Sequence, residues 1–259
     1  MKKKVLITGG SGLLAVNWAL SIRDEYEVTL LLHQRKIYLK GVKTDIANIS
    51  SLDECKAVLD RHKPDVVIHT AGLTSVEKCE ENPNLAQEVN VDLAKNIAIA
   101  CDKQNVKLVH ISTDHLFSGE GSFVTEESNT TPINNYAKTK LEGERQVQKN
   151  CKDALIIRTN FFCWGTKYRQ SFSDFIISKL RNNESIDLFS DVFFTTILAE
   201  ELAQKVHQLI DAKASGVFNV VGSECMSKYE FGVKLANCFG LDANLINEIN
   251  INDKPNLVK

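Results

Sequence analysis

The chain has 259 residues, of which 43% are hydrophobic and 25% are charged, and its formal net charge is −2. This composition is that of an ordinary water-soluble globular protein, and it excludes a strongly basic nucleic-acid-binding surface as the main feature. No apolar stretch approaches the roughly 20 residues of a membrane span, and the N-terminus leads from lysines into a predicted strand rather than into a signal peptide. We therefore expect a cytoplasmic protein whose partners include neither a membrane nor a nucleic acid.

The seven cysteines are scattered along the chain, and none of them forms a C-x-x-C pair. An odd number of separated cysteines is typical of reduced thiols in an intracellular protein, where most of them serve as packing residues. No metal site is expected from this pattern.

The first predicted strand, residues 5–8, runs into a glycine turn and then into a helix. Gly9 and Gly12 keep the G-x-x-G part of a dinucleotide-binding turn, and Ala15 stands in the third glycine position. Gly9 permits a tight turn, Gly12 lets the backbone approach a pyrophosphate, and the amides that open the helix attract that anion. A glycine turn alone is weak evidence, but its place between the first strand and a helix indicates a dinucleotide site.

The second predicted strand, residues 27–32, is followed by His33-Gln34-Arg35-Lys36. A site that prefers NAD usually carries an acid after this strand, whereas a site that prefers NADP carries a cation. Because this segment contains no acid, Arg35 is our hypothesis for the residue that binds the 2′-phosphate, with Lys36 as a helper. The alternative is a solvated turn. We therefore predict a preference for NADP(H) over NAD(H).

The rest of the chain alternates between predicted strands and predicted helices. Strands are predicted at residues 42–45, 64–72, 108–112 and 154–158, and helices at residues 51–61, 85–105 and from residue 136 onward. This alternation, without a break in composition, predicts an α/β protein with one doubly wound parallel sheet, the Rossmann fold. Helices near residues 171–181, 199–211 and 228–239 indicate a small C-terminal substrate-binding lobe. We therefore divide the chain into a cofactor-binding domain, residues 1–170, and a lobe, residues 171–259, which is interleaved with it.

Four polar residues are predicted to meet at the carboxyl end of this sheet, where ligands of such folds bind. Ser112 and Thr113 end the fifth strand, and Tyr136 and Lys140 stand one turn apart at the start of a helix. A nearby ammonium favours phenolate and can bring a tyrosine, whose ordinary pKa is about 10, into the range of proton transfer. The alternative is a half-buried tyrosine beside a solvated lysine, and the pair alone does not decide between them.

Several blocks of sequence together carry a family resemblance. They are Thr8-Gly9-x-x-Gly12, residues 71–80 (AGLTSVEKCE), Val89-Asn90, Ser112-Thr113-Asp114, residues 132–144 (PINNYAKTKLEGE) and Arg158-Thr159. These blocks resemble the extended short-chain dehydrogenase/reductase family, and within it the dTDP-4-dehydrorhamnose reductase group of nucleotide-sugar reductases. The similarity covers the chain from residue 5 to at least residue 219.

The resemblance implies roles for individual residues. Tyr136 would donate a proton to a keto oxygen, Lys140 would lower the pKa of that tyrosine and hold the nicotinamide ribose, and Thr113 would hydrogen-bond the substrate oxygen. The cofactor-binding residues would be Gly9, Gly12, Leu13, Leu14, Arg35, Asp45 near the adenine, Ile46, Thr70, Ala71, Gly72, Asn90, Tyr136 and Lys140. The substrate-binding residues would be Thr74, Val76, Thr113, His115, Arg158 and Asn160.

Departures from the family pattern bear on the substrate. His115 stands where the reductases commonly carry tyrosine and where the similar 4,6-dehydratases carry glutamate, so the acid/base pair of a dehydratase is incomplete. For His115 itself two interpretations stand: a histidine that lines the core or the pocket, or a residue that recognises the substrate. Asn160 replaces a more usual serine, and the apolar residues 191–194 replace an Asp-Gln-x-Gly stretch. The chain stops soon after Pro255, where relatives carry a further tail, which leaves the completeness of the lobe open.

The leading interpretation is an NADPH-dependent reductase of a 4-keto-6-deoxy nucleotide sugar. The second is a nucleotide-sugar epimerase or dehydratase that holds NAD(P) and returns the hydride, and the third is a non-catalytic NADP-binding regulatory subunit. An intact set of Thr113, Tyr136 and Lys140 argues against the third. The resemblance also allows a homodimer through the helices that flank the sheet.

Overall fold

A sheet of seven parallel strands forms the centre of the protein, and the computed structural model describes residues 2–119 and 123–254. The strands in chain order are β1 (Lys4–Thr8), β2 (Glu27–Leu32), β3 (Lys43–Ile46), β4 (Val66–His69), β5 (Lys107–Ile111), β6 (Leu155–Arg158), β7 (Phe161–Phe162), β8 (Ile186–Phe189), β9 (Phe193–Phe194), β10 (Ile197–Leu198), β11 (Gly216–Asn219), β12 (Met226–Ser227) and β13 (Ile246–Ile249). The central sheet has the order β11-β6-β5-β4-β1-β2-β3. The remaining strands pair as β10 with β7, β12 with β9, and β13 with β8.

Helices cover both faces of the central sheet. They are α1 (Leu13–Ile22), α2 (Leu52–His62), α3 (Val76–Glu81), α4 (Pro83–Gln87), α5 (Leu93–Gln104), α6 (Asn135–Asn150), α7 (Phe172–Arg181), α8 (Ala199–Asp211) and α9 (Lys228–Cys238). No helix in residues 2–119 or 123–254 is both long enough and apolar enough to cross a membrane.

The two faces of the sheet have separate cores because successive side chains of a strand point to opposite faces. In β1, Ile7 packs with Trp18 of α1 and Val206 of α8 in one core. Leu6 packs with Leu59 of α2 and residues of α5 and α6 in the other. The chain reverses direction along the sheet between β1 and β4, which is the point where ligands bind in doubly wound folds. The predicted fold class is therefore confirmed.

The predicted helix over residues 85–105 is wrong as a single element. The stretch is divided into the short helix α4, a π-helical turn at Glu88–Asp92, and α5. Asn90 in this turn is buried and hydrogen-bonds the backbone of Leu73, while α6 comes so close that a Cβ on Gly143 would overlap the carbonyl oxygen of Asn90. These two contacts hold the extra residue of the π turn in place.

The chain after residue 170 contributes to two units. Residues of α7, β8, α9 and β13 form a smaller third core, which includes Ile176, Leu188 and Phe231. The segment between β8 and α9 in the sequence returns to the central sheet, where α8 packs on α1 and β11 pairs with β6 at the sheet edge. The tail around Pro255 lies outside the described residues.

Candidate active site

A cavity of about 830 Å³ lies at the carboxyl edge of the central sheet. It is lined by residues that directly follow six of the strands. They are residues 9 and 11–14 after β1, His33 after β2, residues 47–50 after β3, residues 70–72 and 74 after β4, residues 112–115 after β5 and residues 159–161 after β6. The start of α6 closes one side. A cavity of this size and position suits a cofactor together with a small substrate.

The glycine turn forms one end of the cavity. Gly9 has a positive φ of 65°, and a Cβ there would lie 2.8 Å from the Cα of Ala71. The amide of Gly12 donates to the carbonyl of Gly9 at 2.8 Å, and α1 begins at Leu13 without a hydrogen bond from a capping side chain. The first amides of α1 are therefore available to an anion such as a pyrophosphate.

The segment after β4 runs beside this turn. The Thr70 hydroxyl donates to the Thr8 carbonyl at 2.7 Å, and Thr70, Ala71, Gly72 and Thr74 all line the cavity. Asn90 does not line it. Its Oδ1 accepts from the amide of Leu73 at 2.8 Å and its Nδ2 donates to the carbonyl of the same residue at 3.1 Å. Asn90 therefore fixes the loop from behind.

Thr113, Tyr136 and Lys140 are brought together in the cavity wall. Their exposed fractions are only 5%, 9% and 6%. Asn134 caps α6 by accepting from the amide of Ala137 at 2.8 Å, which sets the helix start that presents Tyr136 and Lys140 on one face. The Thr113 hydroxyl accepts from the amide of His115 at 3.2 Å, and both Thr113 and Tyr136 line the cavity. The Lys140 ammonium donates to the carbonyl of Ile111, the last residue of β5, at 2.6 Å.

Burial dominates the protonation of this group. It raises the pKa of the Tyr136 phenol to about 12, against the opposing effect of the nearby Thr113 side chain. It also lowers the pKa of the Lys140 ammonium to about 8, although the Glu144 carboxylate acts the other way. In this structure burial of the phenol prevails over the other effects on the Tyr136 pKa, and the Lys140 ammonium is held by the Ile111 carbonyl; that Lys140 favours the phenolate stays a prediction.

His115 and Asn160 both line the cavity. The ring of His115 meets the ring of Tyr136 edge-on, with centroids 5.6 Å apart. The Nδ2 of Asn160 donates to the Oδ2 of Asp114 at 2.9 Å, so these two side chains form a fixed polar pair in the wall.

Two of the predicted substrate residues lie away from the cavity lining. The buried Arg158 guanidinium is paired with the Glu144 carboxylate, with Nη2 and Oε2 2.8 Å apart. Val76 packs beneath Tyr136 with Cys79 and Ala86. Both residues support the wall and do not form its surface.

Besides Asn90, three of the predicted cofactor residues lie outside the lining. The Asp45 carboxylate accepts from Arg61 at 2.7 Å and from His62 at 2.8 Å. Burial alone would raise the pKa of Asp45, but the hydrogen bonds from His62 and Arg61 outweigh it and hold that pKa below its usual value. Ile46 points outward and is 45% exposed. Arg35 is exposed, with its guanidinium 4.7 Å from the centroid of the Tyr168 ring.

A family model described as the RmlD substrate binding domain matches residues 2–259. The chain belongs to the RmlD substrate binding domain family. This membership confirms the resemblance to the extended short-chain dehydrogenase/reductases, and it makes the chain an NAD(P)-dependent oxidoreductase.

Relatives in this family carry the similarity along nearly the whole chain. The probable low-salt glycan biosynthesis reductase Agl14 of Haloferax volcanii is 30% identical over 245 residues, which are 93% of this chain and 81% of the relative. The crystal structure of a dTDP-4-dehydrorhamnose reductase from Clostridium acetobutylicum superposes with a TM-score of 0.81 and 28% identity, covering 97% of this chain and 85% of that one. The methionine adenosyltransferase 2 subunit beta of Pongo abelii is 27% identical over 258 residues, 95% of this chain and 75% of the relative.

The residues present in this RmlD-family chain fit a nicotinamide dinucleotide. The turn at Gly9 and the uncapped start of α1 suit the pyrophosphate, and Lys140 lines the same cavity, one helical turn from Tyr136. Ala47 to Ser50 line the wall after β3, where sequence reasoning chose Asp45 and Ile46 instead. The rule that ligands bind beyond the carboxyl ends of strands would have found them.

Other lining residues left no signal in the sequence. Glu88 and Asp92 reach the cavity from the π turn, and Arg169 reaches it from the turn Thr166–Arg169 after β7. The Tyr168 hydroxyl in this turn donates to the carbonyl of Ser11 at 2.9 Å. Contacts of this kind depend on how distant segments return to the sheet.

Proposed function

We propose that this chain reduces the keto group of a 4-keto-6-deoxy nucleotide sugar with NADPH. The observation that carries this proposal is the meeting of Thr113, Tyr136 and Lys140 in one cavity with the glycine turn. The names of the relatives, a glycan biosynthesis reductase and a dTDP-4-dehydrorhamnose reductase, support the substrate class.

The side chains divide the chemistry of a carbonyl reduction between them. The nicotinamide, when bound, supplies a hydride to the carbonyl carbon. Tyr136 is protonated at neutral pH because its pKa is raised to about 12, so its hydroxyl can donate a proton to the oxygen that gains charge. Thr113 donates a hydrogen bond to the same oxygen and holds it in position. Lys140, one turn along α6, stabilises the phenolate that remains after the proton has left.

Consumption of NADPH tests this proposal directly. On adding a limiting amount of a dTDP-4-keto-6-deoxy sugar, we expect one NADPH to be oxidised per substrate molecule. Tyr136→Phe should lower kcat by about 10²- to 10⁴-fold because the proton donor is lost. Tyr26→Phe is the matched control, since Tyr26 lies at the amino end of β2 and contacts His207 instead of the cavity. Conversion of the sugar without net oxidation of NADPH would instead favour an epimerase or dehydratase.

The preference for NADPH is supported by the segment after β2. Residues 33–36 contain no acid, and Arg35 stacks on Tyr168, whose hydroxyl bonds the glycine turn at Ser11. We expect Arg35→Gln to lower the ratio of kcat/KM for NADPH to that for NADH by about 10-fold or more, as for loss of a charged hydrogen bond. Lys40→Gln in the same exposed loop should leave the ratio unchanged. A wild-type preference for NADH would overturn this assignment.

The similarity to a methionine adenosyltransferase subunit favours a second candidate function, an NADP-binding regulatory subunit. This candidate predicts that NADPH binds but that no keto-sugar nucleotide is turned over. A homodimer through the helices that flank the sheet remains part of the proposal, and sedimentation of the purified chain measures it.

A further inference from the structure

Two hydrogen bonds tie the turn after β7 to the glycine turn and to α1. The Tyr168 hydroxyl donates to the carbonyl of Ser11 in the glycine turn at 2.9 Å. The Nδ2 of Asn17 in α1 donates to the carbonyl of Trp164 at 2.9 Å. Backbone hydrogen bonds close the turn itself. Because Arg169 directly follows Tyr168, its backbone is held beside the glycine turn.

The side chain of Arg169 is available to a ligand. Arg169 lines the cavity, as do Ser11 and Gly12. Its guanidinium makes no ion pair or hydrogen bond with any other residue that the structure describes. The acid nearest to it in the sequence, Asp174, instead completes the capping box of α7, where its Oδ2 accepts from the amide and the hydroxyl of Ser171 at 3.1 and 2.6 Å. The charge of Arg169 therefore has no partner within the described part of the protein.

The other charges in the cavity wall do not favour an anion. Glu88, Asp92 and Asp114 line the cavity, and each carries a carboxylate. Among the lining residues that the structure describes, Lys140 and Arg169 are the only lysine and arginine. The Lys140 ammonium already donates to the carbonyl at the end of β5. Since a dinucleotide carries negative charge on both phosphates of its pyrophosphate, Arg169 is the cation left to balance that charge.

The glycine turn offers a pyrophosphate only neutral donors. Helix α1 begins at Leu13 without a hydrogen bond from a capping side chain, and its first turn contains no charged residue. Backbone amides and the helix dipole attract a phosphate but supply no full charge. A guanidinium supplies that charge together with a planar pair of donors that matches two phosphate oxygens. The glycine turn and Arg169 therefore supply complementary parts of one phosphate site.

We propose that Arg169 binds the pyrophosphate of the nicotinamide dinucleotide together with the amides of the glycine turn. This inference rests on the proposed function, because it concerns the cofactor of that reaction. It also divides the cofactor between two arginines. Arg35, whose guanidinium lies 4.7 Å from the centroid of the Tyr168 ring, is assigned to the 2′-phosphate, which only NADP(H) carries. Arg169 is assigned to the pyrophosphate, which NADP(H) and NAD(H) share.

Binding of NADPH and NADH without substrate, measured by calorimetry, tests the role of Arg169. We expect Arg169→Gln to weaken both dinucleotides by the same factor, about 10-fold or more, as for loss of a charged hydrogen bond. Displacement of NADPH by millimolar NADH extends the measurement to a weak NADH complex. Arg169→Lys should retain part of the affinity, because it keeps the charge and loses the planar fork.

Lys167→Gln is the matched control. It removes a charge from the same exposed turn, but Lys167 does not line the cavity. Because solvent screens a charge at such a position, this variant should change either affinity by less than about 2-fold. Arg35→Gln is the second comparison, since it should weaken NADPH and leave NADH unchanged.

Thermal unfolding without ligand separates a binding role from a structural one. Arg169 is exposed, and its side chain bonds no other described residue, so Arg169→Gln should unfold within about 2 °C of wild-type protein. Binding of dTDP, which carries the diphosphate of a nucleotide sugar, should stay unchanged in this variant.

Each outcome has a distinct meaning. The inference is wrong if Arg169→Gln binds both dinucleotides as wild-type protein does, if Lys167→Gln weakens them equally, or if the loss comes with a lower unfolding midpoint. A loss for NADPH alone would assign Arg169 to the 2′-phosphate, and a loss for dTDP alone would assign it to the substrate; both results overturn the inference, as does wild-type protein that binds neither dinucleotide. If both dinucleotides depend on Arg169 but no keto-sugar nucleotide oxidises NADPH, the pyrophosphate site stands and the proposed reductase activity fails.

Discussion

Lys140 combines two opposing effects on one ammonium group, since burial lowers its pKa to about 8 while the Glu144 carboxylate raises it. The charge is also held by the Ile111 carbonyl at 2.6 Å. A lysine that titrates near neutral pH can lose its charge within the range in which an enzyme is assayed. The local environment therefore ties the activity of Tyr136 to pH.

We predict that kcat falls as pH rises through about 8, because the neutral amine no longer stabilises the phenolate of Tyr136. The measurement is kcat at saturating NADPH and keto-sugar nucleotide between pH 6 and 10, which removes effects on substrate binding. Lys140→Arg keeps its charge over this range and should show a lower kcat without the alkaline decline. A decline of the same shape in Lys140→Arg would assign it to another group.

A second residue-scale prediction concerns Asn90, which makes two hydrogen bonds to Leu73 and one to Thr139. Asn90→Ala leaves buried polar groups of the loop after β4 without partners, so we expect a loss of about 1–3 kcal/mol of unfolding free energy and weaker NADPH binding. Asn247→Ala, which removes one hydrogen bond to the exposed Asp187 away from the cavity, should cost less than about 1 kcal/mol and leave NADPH binding unchanged. Denaturant unfolding and NADPH titration measure both, and equal losses would count against a positioning role.

At the scale of elements, the contact between the π turn and α6 links the cofactor loop to the helix that carries Tyr136. The Asn90 amide bonds Thr139, one residue before Lys140, and Gly143 allows the backbone of α6 to approach the turn. A π turn at a functional site is a common way of directing side chains inward. Because this contact joins segments that are distant in the sequence, local pattern did not reveal the break in the predicted helix.

We predict that Gly143→Ala lowers the unfolding free energy by about 1–3 kcal/mol, because the new methyl group overlaps the rigid backbone carbonyl of Asn90. Gly232→Ala in α9 is the control, since its methyl group would meet the end of the flexible Leu188 side chain. There the gain in helix propensity, about 1 kcal/mol, offsets part of the clash. Thermal unfolding of the two variants checks the difference, and a larger loss for Gly232→Ala would contradict it.

The sequence predicted the elements of the fold better than it predicted which side chains pair with each other. The strands, the glycine turn and the meeting of Thr113 with Tyr136 followed from local pattern and from the rule for carboxyl edges. The pairing of Asp45 with Arg61 and of Arg158 with Glu144 did not, because each joins residues from different elements whose relative rotation no local pattern encodes. For the same reason the lining residue Arg169 was missed.

For the whole molecule, buried histidines connect pH to stability. Burial lowers the pKa of His69 to about 3 and that of His207 to about 4. His69 stacks on the buried His110, and His207 accepts a hydrogen bond from Trp18 between α1 and α8. Below pH ~6.5 these histidines bind protons in the unfolded chain but not in the folded chain. The unfolding free energy that they contribute as neutral groups is therefore fully present above that pH and is lost as pH falls toward 4.

We predict that His207→Gln reduces the acid sensitivity of the fold, since glutamine can accept from Trp18 without titrating. Between pH 7 and 5 the wild-type protein should lose about 2 kcal/mol more unfolding free energy than the variant. His33→Gln, at an exposed position, controls for removal of a histidine. Urea unfolding at the two pH values measures the difference, and parallel losses in wild type and His207→Gln would refute the assignment.

The return of β11 to the edge of the sheet has a consequence for the nascent chain. Strand β6 emerges from the ribosome before the segment that covers it, so the unpaired edge of Leu155 to Ile157 stays open until Asn219 has been synthesised. An open apolar edge invites pairing with other chains. During synthesis this edge is therefore open to mispairing with other chains, and a fragment that ends at residue 170 lacks the strand that covers it.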